Sequence, residues 1–311
     1  MSTSELTLVT GKPKARTQVG AALLPRFRWR GLRYGMLTVV ALLMSFPFIW
    51  MLITTFKSSS SIFSLPPTFI PNKLFQPDMF SSYSVLFTEY NFARYTLNSF
   101  YVSLMASVGQ IMTCSLAAFA FARMEFKGKN LLFGLMLATA LIPLEVTIIP
   151  EFLLAVRIFD PLLKAVGGAW MDTFNPLIIP SFLVGTTGTF LLREFFSTLP
   201  REMEEAAVVD GATAFQIYRH IYLPLSMPAL VTLFLLSFIN NWNPLLRATI
   251  YLKSPDLRTL PIGLTSFQTQ YSAEWDLLLS GSVVTLLPLI IIYILMQRYI
   301  VEGISTTGLR G

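Results

Sequence analysis

The chain is poor in the residues that build most chemical sites. Its 311 residues include one cysteine, Cys114, and one histidine, His220. A single cysteine excludes an internal disulfide and a cysteine-based metal cluster, and a single histidine excludes a two-histidine metal site. No GxxxxGK[ST] segment occurs, so the loop that cradles phosphates in many nucleotide hydrolases is missing. Charge is scarce too. Only 13% of the residues are Asp, Glu, Lys or Arg, about half the usual share in a soluble domain. Apolar residues take their place: 54% of the chain is hydrophobic and the mean hydropathy is +0.61. The net charge of +6 does not point to nucleic acid. The basic residues lie between apolar runs and are not clustered on a polar domain.

A membrane-spanning helix needs about 20 mostly apolar residues. Six runs qualify, at about 34–56, 97–122, 131–149, 176–196, 225–250 and 277–300. The third ends among Pro143, Glu145, Pro150 and Glu151, so its outer end is expected to be broken or wet. The fourth is interrupted by Gly185, Thr186, Thr187, Gly188 and Thr189. Small residues let helices approach closely, so this span is expected inside a bundle, away from lipid. Cys114 reads as a small apolar residue in a buried helix.

Placing the N-terminus in the cytoplasm puts 15 of the 23 Lys and Arg residues inside and 8 outside. That bias supports N-in, and six spans bring the C-terminus inside too. Residues 1–33 are polar and basic. Their one apolar stretch, 21–24, is too short for a signal-peptide core, and they read as an uncleaved cytoplasmic tail. Residues 34–311 form the membrane domain. The loop at 57–96 carries many aromatics and is expected to pack on the outer mouth, whereas the loop at 251–276 is a candidate contact for an external partner.

The longest polar stretch facing the cytoplasm is a hairpin at about 197–224. Pro200 suits a first helical turn, and Glu202, Glu204 and Glu205 suit the positive end of a helix dipole. Gly211 can adopt the left-handed conformation that ends a helix. Ala206, Ala207 and Ala212 offer small surfaces to an approaching protein. Ile217, Tyr218, Ile221 and Tyr222 share one helical face.

The arrangement Glu205-Ala206-Ala207, three residues, Gly211, nine residues, Ile221, one residue, Leu223-Pro224 resembles the "EAA" signature of ATP-binding-cassette (ABC) importer permeases. Phe56-Lys57-Ser58, Pro66-Pro67, Asn98-Ser99, Phe121-Ala122-Arg123, Phe190-Leu191-Leu192-Arg193, Trp242-Asn243 and Thr259-Leu260-Pro261-Ile262-Gly263-Leu264 are similar to its carbohydrate-uptake group. Within that group the pattern resembles the second permease of maltose- and glycerol-3-phosphate-type systems. The terminal Glu302-Gly303-Ile304 and Gly308-Leu309-Arg310-Gly311 resemble that group's tail, with Thr307 in place of its usual glycine.

The resemblance implies an all-α membrane protein with six transmembrane helices, N-in/C-in, in the type I ABC importer permease fold. It further implies a multi-pass subunit of a prokaryotic inner membrane that imports a sugar or sugar-like solute and is not itself an enzyme. The implied partners are a second permease, two copies of a cytoplasmic ATPase that binds ATP and Mg, and an extracytoplasmic solute-binding protein. The hairpin would dock on the ATPase through Glu205, Ala206, Ala207, Asp210, Gly211, Ile221, Leu223 and Pro224.

Polar groups inside a membrane are costly and often mark a pathway. Asn240, Asn241, Trp242, Asn243 and Gln110 are candidate solute contacts, because amides bind sugar hydroxyls and an aromatic face can stack on a sugar ring. The competing reading is an ion-coupled secondary transporter using Glu145 and Glu151. An intramembrane Ser–His enzyme would need His220, which lies in the hairpin.

Overall fold

The computed structural model describes residues 26–268 and 274–308. The chain divides into two compact units, Met1–Trp50 and Met51–Gly311. The first helix, α1 (Arg26–Thr54), begins before the expected first span and carries Pro47 in its interior. Its residues from Gly31 to Ile49 are exposed throughout, Leu, Val, Met and Phe included. An apolar surface of that kind suits lipid, where no hydrophobic penalty attaches to it.

The second unit is built on α2 (Phe92–Arg123), against which the helices Thr186–Thr198 and Met227–Trp242 pack most closely, and Trp275–Gly308 packs in turn on Met227–Trp242. Then follow α3 (Lys129–Thr139), α4 (Leu144–Leu154), α5 (Thr186–Thr198), α6 (Glu202–Val209), α7 (Ala214–Ile217), α8 (Met227–Trp242), α9 (Leu245–Tyr251) and α10 (Trp275–Gly308). No β-strand occurs among the described residues.

Four helical segments are individually long and apolar enough to cross a membrane: Gly31–Thr54, Phe92–Arg123, Asn175–Thr198 and Trp275–Tyr299. The pair Ala214–Leu225 and Met227–Trp242, bent by 79°, makes a fifth. The third expected span is α3 and α4, eleven residues each, separated at Ala140–Pro143. Pro143 has an extended backbone and precedes the first helical position of α4, so the third span breaks in its middle and not at its outer end. The fifth expected span stops at Trp242 and resumes as α9, because Pro244 cannot continue the backbone hydrogen bonds of α8.

The fourth span breaks at Leu183–Gly185, between Pro180 and the start of α5. The backbone freed there is satisfied by neighbours, as a membrane interior requires. Thr113 Oγ1 donates to Leu183 O, and the Cys114 thiol to Gly185 O, both at 3.3 Å. The small residues serve the close approach expected of them. A Cβ built on Gly188 would lie 2.9 Å from Cys114 Sγ and 3.0 Å from Leu233 Cδ1. Cys114 is fully buried at this crossing.

At the end opposite Arg123, α2 holds the segment after α9. Asn98 Nδ2 donates to the carbonyls of Asp256 and Arg258 (2.9 and 2.8 Å), and Leu260 N donates to Ser99 Oγ (2.8 Å). Asp172 clasps the same segment by accepting from Lys253 N, Ser254 N and Ser254 Oγ. Those donors, Ser254 first, hold its carboxyl below the usual carboxylate range.

The aromatic loop at 57–96 is only partly packed, against expectation. Tyr83 and Leu86 join the core around Phe92, Phe238, Trp242 and Phe267, and Phe63 meets Trp275 edge-on. Phe80 meets Phe56 and Tyr83, whereas Phe75 stands almost fully exposed.

Candidate functional site

The hairpin consists of α6, a bend, α7 and a π-helical turn, Tyr218–Tyr222. Helix α6 starts at Glu202, two residues past Pro200. Leu199, the residue before the proline, is extended, as the proline ring demands. Glu202, Glu204 and Glu205 occupy the first turn, where the helix dipole favours them.

Gly211 ends α6 with φ +81°. Its N–H donates to Val208 O (3.0 Å), and Ala212 N donates back to Ala207 O (2.9 Å), a glycine-closed helix end. The second arm starts with a capping box. Thr213 N donates to Gln216 Oε1 (2.7 Å) and Gln216 N to Thr213 Oγ1 (3.4 Å). This Thr-x-x-Gln pattern is a helix start legible in the sequence.

The apolar face of the second arm forms as expected. Ile217, Tyr218 and Tyr222 are buried in a cluster with Cys114, Phe119, Leu192, Phe196 and Leu233. Tyr218 shares a hydrogen bond of 2.7 Å with Ser115.

The residues expected to dock on an ATPase divide into two sets. Glu205, Ala206, Asp210, Gly211 and Pro224 are exposed. Ala207, Ile221 and Leu223 pack against the core cluster, so they hold the hairpin to the bundle. Ala207 and Ile221 are only half-buried there and keep an accessible side.

Two open cavities flank the hairpin. One, of about 380 Å³, is lined by Arg123, Arg201, Glu204, Glu205, Val208 and Val209. The other, of about 360 Å³, includes Ala207, Asp210, Gly211 and Ile221 in its walls. Val209 (86% exposed), Val208 (58%) and Phe215 (60%) stand out beside them.

Sequence reasoning missed what lies beneath. Arg123 closes α2, and its guanidinium donates to the Phe196 and Leu199 carbonyls. Glu204, not Glu205, turns inward. Its Oε2 accepts from Tyr222 OH at 2.8 Å and lies 4.0 Å from Arg123 Nη1. A basic residue in the last turn of a helix was the available signal.

The proposed solute contacts also divide. Trp242 is fully buried, stacked on Phe238, and its indole N–H donates to Thr285 O (3.1 Å). It is a core residue with no face open to a sugar, which corrects the expectation from sequence. Asn240 and Asn243 are exposed. Gln110 Oε1 accepts from Ser237 Oγ (2.6 Å), and Asn241 Nδ2 donates to Ser237 O (2.9 Å), so Gln110 and Asn241 meet at one serine of α8. Glu151 pairs with Arg247 at 2.7 Å. The tail pattern from Glu302 to Gly311 falls outside what is described: the side chains from 300 on and all of residues 309–311.

Residues 110–306, which hold α3 to α9 and the whole hairpin, match the model of a family described as the binding-protein-dependent transport system inner membrane component. The chain belongs to that family. It is an all-helical, multi-pass inner-membrane permease subunit. Nothing favours the ion-coupled alternative.

Among its relatives is the arabinooligosaccharides transport system permease protein AraQ of Halalkalibacterium halodurans, 31% identical over 88% of this chain and 93% of the relative. The trehalose/maltose transport system permease protein MalG of Thermococcus litoralis is 30% identical over 88% and 94%. A putative ABC transporter permease of Caldicellulosiruptor sp. is 34% identical over 88% and 95%. The fold of this permease is that of a chain in a bacterial ABC transporter involved in the import of the acidic polysaccharide alginate. The TM-score is 0.71 at 21% identity, covering 88% of this chain and 96% of that one. A second alginate ABC transporter structure, in complex with a periplasmic protein bound to an alginate pentasaccharide, matches with a TM-score of 0.62 at 16% identity, covering 86% and 93%.

Proposed function

We propose that this permease forms half of the pathway of an ATP-driven importer for a sugar or oligosaccharide, and that its hairpin is the contact for a separate ATPase chain that holds the ATP and Mg. The observation that carries the coupling role is the exposed rim of Val208, Val209 and Phe215 beside Glu205 and Gly211. Apolar side chains at a polar, glycine-ended hairpin have neither a core nor lipid to cover them, and such patches mark protein contacts. The sugar class is supported by relatives whose names specify arabinooligosaccharides, trehalose and maltose.

The charge bias supports a cytoplasmic hairpin and cytoplasmic chain ends. A second permease completes the pathway, with Gln110, Asn240 and Asn241 as this chain's polar contribution. A solute-binding protein delivers the sugar to the opposite face. No bond in the solute breaks, and the work is conformational.

The test is co-expression with the neighbouring permease and ATPase genes, followed by purification on a tag placed on this chain. A co-purifying ATPase whose hydrolysis rises with sugar-loaded binding protein, and whose recovery falls in Glu205→Lys, is the expected result. Equal recovery of the ATPase with wild type and Glu205→Lys would remove the hairpin from the contact.

A further inference from the structure

We propose that Arg123 and Glu204 are positioning residues that lock the hairpin to the ends of α2 and α5, so that a push on the hairpin moves those spans. The proposal rests on the reading of the hairpin as the ATPase contact, and it assigns the two adjacent glutamates different tasks.

The Arg123 side chain is 3% exposed. A buried guanidinium needs partners on several sides. Here they come from three separate elements. The Phe196 and Leu199 carbonyls belong to the end of α5, where helical donors run out and Phe196 O accepts from Leu199 N alone along the backbone. Glu204, in the first turn of α6, supplies the counter-charge at 4.0 Å. Tyr222, in the second arm, presents its ring 5.1 Å from the guanidinium carbon. The same tyrosine donates its hydroxyl to Glu204, so both arms of the hairpin are tied to each other and to one cation.

Glu205 follows Glu204 by about 100° around the helix and is exposed. The outward glutamate is available to a partner chain, whereas the inward one is committed to the bundle. Lysine cannot replace Arg123, because one ammonium lacks the planar fork that reaches carbonyls and carboxylate together. Without the carboxylate charge, Arg123 keeps its carbonyls but loses its counter-ion. The hairpin can then rock without carrying α2 along.

The experiment uses the assembled transporter with its ATPase and partner permease. A bimane fluorophore is placed on Leu97→Cys, an exposed site at the end of α2 away from Arg123, and read with and without ATP plus vanadate. Three hairpin backgrounds are compared: wild type, Glu204→Gln and Arg123→Lys. Tyr222→Phe, which keeps the ring and removes only the hydroxyl, guards against misfolding in the other two.

Wild type should show a nucleotide-dependent bimane shift. Glu204→Gln and Arg123→Lys should cut that shift about tenfold, as expected for breaking one largely buried ion pair, while ATPase recovery and basal hydrolysis persist. Tyr222→Phe should give a smaller cut. Glu205→Gln should instead lower ATPase recovery and leave the shift per bound ATPase intact. A shift of wild-type size in both Glu204→Gln and Arg123→Lys would overturn the proposal, and so would a loss of shift strictly parallel to lost ATPase recovery. Wild type that recovers no ATPase would refute the coupling reading itself, a result distinct from either.

Discussion

Gly211 gives the sharpest test of the hairpin, because its conformation and its surroundings make different demands on a substitution. Its φ is +81°, and a Cβ added there would meet nothing within 4 Å. Steric exclusion by neighbours therefore contributes nothing, and the whole cost lies in the backbone. For an ordinary L residue the left-handed conformation costs about 1–2 kcal/mol. Valine, branched at Cβ, fits it worst, and asparagine tolerates it. A cost of that size lowers the population of the correctly bent hairpin by roughly 5- to 30-fold. The penalty stays local, since Gly211 is exposed and outside the buried cluster. Purified complexes carrying Gly211→Asn, Gly211→Ala and Gly211→Val should therefore unfold at nearly the wild-type temperature. Their binding-protein-stimulated ATP hydrolysis should fall in the order glycine, asparagine, alanine, valine. Asparagine is larger than alanine, so the order separates backbone strain from bulk at a docking surface. If Gly211→Asn is as inactive as Gly211→Val while Gly211→Ala is active, bulk decides and the argument from φ is wrong. Full activity in Gly211→Val would refute it outright.

Other sites carry simpler expectations. Gly188→Ala forces a methyl to 2.9 Å from Cys114 Sγ. It should cost about 1–3 kcal/mol as overpacking, seen as a lower melting temperature in detergent, and Cys114→Ala in the same chain should restore part of the loss. Trp242→Phe removes the indole donor to Thr285 O and should lower thermal stability. Uptake per folded transporter should remain unchanged, and a selective loss of sugar uptake would return Trp242 to the pathway. Asp160 is held down to about 2 by the Lys164 ammonium and by the Met171 and Trp170 N–H groups. A carboxyl with a depressed folded pKa contributes stability that is complete above its unfolded value near 3.8 and is lost as pH falls toward 2. Protection of the Trp170 and Met171 amides, taken relative to their intrinsic exchange rates, should thus fall across that acid window, and Asp160→Asn should abolish that change in protection.

The legible parts of the sequence were those set by composition and by local backbone chemistry. Scarce charge and long apolar runs dictate helices, and the left-handed bend at Gly211 follows from the lack of a Cβ. The burial of Ile217, Tyr218 and Tyr222 follows from their spacing. Breaks were harder to locate. Pro143 visibly interrupts the third span, but the sequence does not say whether the chain resumes as a helix, as it does in α4. Trp242 was misjudged because asparagines on both sides make its neighbourhood look polar. A helix alternates its faces at that spacing, and the tryptophan takes the inward one beside Phe238. In the sequence Arg123 shows only as the end of the Phe121-Ala122-Arg123 pattern. Its carbonyl partners lie more than 70 residues away, and no local pattern encodes a contact of that range.

That range explains how one hairpin can be exposed and rigid at once. Its outward side keeps valines and a phenylalanine in the open, which favours exchange of partners over self-packing. A surface of that kind on a loosely held loop would fold back on itself or rearrange when touched. Here the inward side rules this out. Ala207, Ile221 and Leu223 pack on the buried cluster, and the capping box at Thr213 and Gln216 fixes where the second arm starts. The 79° bend at Ser226, between Ala214–Leu225 and Met227–Trp242, then turns the arm directly into a span. Ser226 N donates to Tyr222 O at 3.0 Å, and Leu230 N donates to Ser226 O at 2.9 Å, so the backbone stays hydrogen-bonded through the corner. A displacement of α6 therefore has no slack loop in which to dissipate before it reaches α8.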